Sequence, residues 1–215
     1  MIEIRSRASG ATLLAIPAET LVGRKFRGVR LPQPDFANML LTQADFCHAT
    51  LTAADFGEAM LEESQFCSAL LTNVKFDGAS LIKADFAEAA LVKVSFRQSD
   101  LRDANFRYAR LSAADFSQAD LRGANLSMAV ISGVFHGANL SGADLRGADI
   151  RDADLSSAVL DGIRLANAKV VGASLTPLQR QLVQMSKEDA LGVQAAPGAL
   201  AKTADNRAWW RFWTS

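Results

Sequence analysis

The chain has 215 residues, 49% of them hydrophobic, and carries 23 basic against 23 acidic side chains, a formal net charge of zero. That is enough apolar material for one domain with its own core, whereas the balanced charge argues against direct binding of nucleic acid or an anionic membrane. Two cysteines, Cys47 and Cys67, exclude a disulfide framework and suit a reducing cytoplasm, and no apolar run approaches the roughly 20 residues of a membrane span.

In chain order, residues 2–5 and 11–16 read as two short strands joined by the turn 6–10, a hairpin cap over residues 1–20. The apolar stretch 11–16 follows Arg5 and Arg7 as a signal-peptide core would. It is too short for that role and is closed by Pro17 and Glu19, so it reads as structure.

From Leu21 a large apolar residue recurs every fifth position: Leu21, Phe26, Leu31, Phe36, Leu41, Phe46 and onward to Leu121, Leu126 and Ile131. Two positions before it the residue is usually Ala (Ala44, Ala54, Ala84, Ala104), and one before it often Asp or Asn (Asp45, Asp55, Asp85, Asn105). A period of five fits neither the 3.6 of a helix nor the 2.0 of a strand. It predicts a short extended piece and a corner every five residues, and four corners close a square coil of 20. Asp, Asn and Gly are suited to such corners. Phe and Leu alternate from Leu21 to Leu121, so each Phe ladder, such as Phe46–Phe66–Phe86, occupies one side and stacks at about the 4.8 Å strand spacing.

The segments Ala44-Asp45-Phe46, Ala119-Asp120-Leu121, Ala124-Asn125-Leu126, Ala143-Asp144-Leu145 and Ala153-Asp154-Leu155 resemble the A(D/N)LXX motif of the pentapeptide-repeat family over about residues 21–175. The resemblance implies an all-β solenoid, a right-handed quadrilateral parallel β-helix with an N-terminal hairpin cap, a C-terminal α-helix and an aromatic tail. It says little about function, since one fold serves many roles.

After Ile131 the next inward residue falls at Phe135, not His136, and the phase then holds through Leu140, Leu145, Ile150, Leu155, Leu160, Leu165, Val170 and Leu175. One residue is missing over 131–135, which predicts a tightened corner or a small kink. Thr176-Pro177-Leu178-Gln179 is a capping-box start for a helix over 176–188, with Leu178, Leu182 and Met185 on its apolar face. A linker and tail over 189–215 ends the chain, and it holds Trp209, Trp210, Phe212 and Trp213. That aromatic cluster caps the solenoid, pairs with a second subunit to give a homodimer, or docks on another protein or a membrane surface.

No phosphate-binding loop, nucleophile elbow or zinc spacing is present, and no cofactor or metal is expected. Cys47 and Cys67, 20 apart, stack on neighbouring coils within the reach of a disulfide. They read as two unpaired thiols, which with His48 still lack a fourth metal ligand. Asp45, Asp85, Asp144, Asp149 and Asp154 precede inward residues and read as backbone acceptors, not as acid/base groups.

The outward positions carry the functional reading. Leu70, Ala90, Val92 and Val130 lie on the side of Leu51, Leu71, Leu91 and Leu111, and Leu40, Met60 and Ile82 on the opposite side, as apolar contact strips. A rigid rod with such strips and a Trp-rich end predicts a non-enzymatic protein-binding scaffold or adaptor with a partner of unknown identity. The first coils are acidic at Asp35, Asp45, Asp55, Glu58, Glu62 and Glu63. They support a second reading, a DNA-mimicking modulator of a type II topoisomerase (DNA gyrase), as the resemblance to quinolone-resistance members implies.

Overall fold

The computed structural model describes residues 1–181 and 183. Three of the four five-residue sides of a coil work the same way, and the Leu51–Leu71–Leu91 side runs as extended strand without the turn bond. Leu41 points inward and its carbonyl accepts the Ala44 N–H at 2.9 Å, closing a turn whose third residue, Gln43, has φ 60°. That is the geometry of a type II turn, which needs positive φ at its third residue. Among the described residues nineteen non-glycine residues have positive φ, Gln, Glu and Lys included. The Asp, Asn and Gly preference expected at the corner therefore holds only in part. Asn38, Asn73, Asp103 and Asn167 hold that position, but other Asp and Asn residues sit two positions later, where Asp45 Oδ1 accepts the Cys47 N–H at 2.9 Å. The left-handed backbone costs on the order of 1 kcal/mol per residue. It is offset because the corner amides bond the next coil, as Gln43 N–H does to Glu62 O at 2.8 Å.

Stacking of these sides gives a parallel β-solenoid. On the Leu31 side, β3 (Arg30–Pro32), β4 (Thr50–Thr52), β5 (Leu70–Thr72), β6 (Ala90–Val92), β7 (Arg110–Asp115), β8 (Val130–Val134) and β9 (Asp149–Asp154) form a seven-stranded parallel sheet in sequential order. Its register is 20 residues, Leu51 over Leu71 over Leu91 over Leu111. β3 is its first edge, and Arg30 and Pro32 of that strand are exposed.

The core holds two Phe ladders. Phe46 stacks on Phe66 with ring centroids 5.0 Å apart, and Phe56 on Phe76 at 4.9 Å. The ladders meet edge to face, Phe46 against Phe56 at 5.4 Å and 87°. Both arrangements suit the ring quadrupole and add about 0.5–1.5 kcal/mol per pair beyond area burial. The Ala column fills the corners, and Ala44, Ala54, Ala84 and Ala104 are fully buried.

At the N-terminus β1 (Ile2–Arg5) and β2 (Thr12–Ile16) pair antiparallel and bury Ile4 and Ile16. Arg7 N–H bonds Gln33 O at 2.8 Å and Asp35 N–H bonds Arg5 O at 2.9 Å, which ties the hairpin to the first coil. Residues 177–181 and 183 are helical. Thr176 and Gln179 bond reciprocally, Thr176 N–H to Gln179 Oε1 at 2.8 Å and Gln179 N–H to Thr176 Oγ1 at 3.2 Å. Leu178, expected on the apolar face, is instead 54% exposed. Gln179 turns inward because its Nε2 satisfies two carbonyls of the solenoid end, Leu155 O at 2.8 Å and Ala158 O at 2.9 Å. Leu182 and Met185 lie outside the described side chains.

The missing residue is absorbed in one corner. The register of β7 and β8 passes from Leu111↔Ile131 to Ala114↔Gly133, and Phe135 stacks on Phe116 at 4.7 Å. Gly133 has φ 151°, and a Cβ there would overlap the Ala114 carbonyl oxygen, so only glycine fits this backbone approach.

Candidate protein-binding face

The outward residues of the seven-stranded sheet form columns. One runs Thr50, Leu70, Ala90, Arg110, Val130, and the next Thr52, Thr72, Val92, Ser112. Leu70, Val92 and Val130 are exposed. On the opposite side Leu40 and Met60 are bridge partners, both exposed, but Ser80, Asp100 and Asp120 continue that column. Ile82 is half-buried and sits after the inward Leu81, one column away from Met60. The expected strips thus resolve into a two-residue patch on one side and a longer, Arg110-interrupted patch on the other.

The phase break deepens the longer patch. An open concavity of about 300 Å³ lies there, lined by Arg110, Val130, Ser132, Asp149, Arg151 and Asp152. At the adjoining corner Tyr108 and Met128 hold the positive-φ position of successive coils, 45% and 51% exposed. The Met128 side chain lies over Gly147, where a Cβ would overlap its Sδ. Arg107 stands 4.7 Å over the Tyr108 ring and donates to its hydroxyl at 3.2 Å. Among the described residues Arg107 and Arg110 have no carboxylate partner, whereas Arg102, Arg122, Arg146 and Arg151 each hold the Asp two positions before. The forked hydrogen bond from Arg151 lowers the Asp149 carboxyl to about 2. The bonds from Arg122 and Arg146 likewise lower Asp120 and Asp144. The corner therefore offers an aromatic ring, a thioether, a valine and two uncompensated guanidinium groups, residue types enriched at interface cores.

Tyr108, the single tyrosine, shows no sign of activation in the sequence, and neither it nor Met128 is among the contact residues expected there, because corner positions read as turn chemistry. Their 20-residue spacing, one coil before the break, is the signal that marks them.

The acidic residues of the first coils are mostly engaged. Asp35 and Asp55 accept the N–H two residues on at 3.1 and 2.8 Å, as Asp45 does. Arg7 pairs with Asp55 at 3.0 Å and Arg27 with Asp45 at 3.9 Å. Glu62 accepts from Thr42 and Glu63 from Gln43, while Glu58 is exposed above Gly78. Down one column Asp35 and Asp55 give way to Lys75 and Ser95, so no continuous acidic ladder forms there.

Cys47 and Cys67 are disulfide-bonded with Cα atoms 4.6 Å apart, which corrects the expectation of two free thiols. Coil stacking brings the two Cβ vectors side by side, the disposition a disulfide requires. Among the described residues no cluster of His, Cys, Asp and Glu could hold a metal ion. A Ser–His contact absent from the sequence reading does occur: Ser157 Oγ lies 2.9 Å from His136 Nδ1. Both residues are exposed, and Ser157 Oγ also accepts the Gly137 N–H. The pair lies on open surface, without the water exclusion of a buried catalytic dyad. Trp209, Trp210, Phe212 and Trp213 lie outside the described residues. No helix among the described residues is long and apolar enough to cross a membrane.

Two family profiles match, one described as "Pentapeptide repeat region" over residues 69–134 and one as "Pentapeptide repeats (8 copies)" over residues 35–66 and 134–167. No curated protein matches by sequence. Among solved structures the chain is similar to full-length QnrB1, a plasmid-mediated fluoroquinolone resistance protein: 22% identity, 77% of this chain and 95% of that one, TM-score 0.45. It is similar to HetL of the cyanobacterium Nostoc sp., a pentapeptide repeat protein involved in heterocyst differentiation regulation: 26% identity, 74% and 87% covered, TM-score 0.28. A pentapeptide repeat protein of the Arabidopsis thaliana thylakoid lumen shares 28% identity over 56% of this chain and 85% of that one, TM-score 0.29.

Proposed function

We propose that this chain, which belongs to the pentapeptide-repeat family, is a non-enzymatic scaffold that binds a protein partner at the corner formed by Tyr108, Met128 and Val130. The observation that carries the reading is the exposure of these three residues beside the concavity at the phase break. Unpaired Arg107 and Arg110 favour a partner with acidic side chains around an apolar anchor. The patches at Leu70 and Val92 and at Leu40, Met60 and Ile82 are secondary contacts in this reading. A photo-cross-linking residue at position 130 tests it. It should trap a protein that is lost when Tyr108 and Met128 are both changed to Ser. Equal trapping from position 100, on the opposite side, would overturn it.

The gyrase-directed mimic is less well supported, because Asp35, Asp45 and Asp55 already serve the backbone and arginines. A homodimer through the C-terminal region and a cytoplasmic setting accompany the proposal. Native mass of the full chain beside a truncation ending at Ala204 tests the first: a dimer that becomes a monomer supports it, a monomer in both opposes it. Cell fractionation tests the second.

A further inference from the structure

We propose that the Cys47–Cys67 bond is a reversible thiol–disulfide exchange site at which a low-molecular-weight thiol of the glutathione type adds to Cys67. The inference is independent of the partner-binding reading. The backbone on both sides of the bond is held without the sulfurs. Gly28 N–H bonds Cys47 O at 2.9 Å, His48 N–H bonds Cys67 O at 2.9 Å, and Cys47 N–H bonds Asp45 Oδ1 at 2.9 Å. The 4.6 Å Cα separation is therefore a property of coil stacking and persists when the sulfurs part. Opening and closing the bond need no refolding.

The two cysteines differ in exposure. Cys47 is 1% exposed, whereas Cys67 is half-buried and reaches solvent. Exchange goes through attack of a thiolate on an accessible sulfur. The incoming thiolate bonds to Cys67 Sγ, the Cys47–Cys67 bond breaks, and the electron pair leaves on Cys47 Sγ. In the return step the Cys47 thiolate attacks Cys67 Sγ and expels the small thiolate. When a second glutathione thiolate instead attacks the glutathione sulfur of the adduct, glutathione disulfide leaves and both cysteines are reduced; glutathione disulfide reoxidises that pair through the same intermediate, releasing two glutathione molecules. The ladder keeps Cys47 beside the adduct, so the second step is intramolecular and the adduct on the wild-type protein is short-lived.

The test uses the full chain with glutathione disulfide, read by peptide mass. In Cys47→Ser the adduct on Cys67 should form roughly ten-fold faster than the adduct on Cys47 in Cys67→Ser, and the wild type should end with the intramolecular bond. Equal rates, a faster Cys47, or a wild type that retains stable adducts would overturn the proposal. If circular dichroism shows either variant unfolded, iodoacetamide labelling of the fully reduced wild type reads the same asymmetry: faster labelling at Cys67 supports the proposal, and equal labelling defeats it.

Discussion

Phe116 stacks on Phe135 with ring centroids 4.7 Å apart and planes 13° from parallel, although 19 residues separate them where Phe96 and Phe116, at 4.9 Å, are separated by 20. The ladder is continuous because the lost residue comes from the corner and not from the core.

That economy depends on Gly133. We expect Gly133→Ala to lower stability by more than about 2 kcal/mol, since its Cβ would overlap the Ala114 carbonyl and its φ is one that side chains avoid. A thermal melt measures it. Insertion of Asn between Ser132 and Gly133, which restores the five-residue side, should leave the melting temperature near that of the wild type. A Gly133→Ala protein that melts normally would mean the corner relaxes freely.

Ser64 occupies a position in the buried Ala column, and among the described residues its hydroxyl has no hydrogen-bond partner. Ser64→Ala should therefore stabilise by about 1 kcal/mol, the desolvation cost it removes. Ser99, equally buried, donates to Phe96 O at 2.7 Å, and Ser99→Ala should bring no gain. Urea midpoints of the two variants decide the matter.

The Arg151 fork holds Asp149 at about 2, well below the ordinary range. The ionised form is favoured by folding, so its contribution is complete above about pH 4 and is lost as the pH falls towards 2. Asp120 and Asp144 act in the same direction. We expect the urea midpoint to hold from pH 7 to about 4 and then fall. Asp149→Asn should lower the midpoint slightly at pH 7 and flatten the acid fall by the same small amount, because its arginine is exposed and the pair is screened. An unchanged acid limb in the variant would argue that other carboxylates govern it.

Reduction of Cys47–Cys67 opens a loop of about 20 residues in the unfolded chain, worth about 3 kcal/mol on the chain-entropy account. Denaturation with and without dithiothreitol should show that loss, with native circular dichroism unchanged. Coincident curves would place the bond outside the cooperative unit.

The stacking of Phe46 on Phe66 and the shortened corner before Phe135 were legible because both follow from a period of five counted over 20 residues. What stayed hidden lies in contacts between coils. The stacking of Cys47 on Cys67 within disulfide reach was visible, but the bonded state was not, because it depends on a backbone that holds the Cα atoms 4.6 Å apart. Likewise, Gln179 turns inward and Leu178 outward because carbonyls at the solenoid end need a donor, which helical periodicity does not encode. Tyr108 and Met128 became a surface only once the corners were seen to admit side chains other than Asp, Asn and Gly.

The first strand of the sheet, with Arg30 and Pro32 outward, also decides what the molecule does not become. In backbone terms this rod is one short length of a cross-β filament, and each coil templates the next. A charged side chain and a residue without an amide hydrogen on this edge, beside the hairpin bonded at Gln33 and Asp35, make it a poor seed for another chain. The coils keep the cohesion of a fibril while that edge discourages its growth.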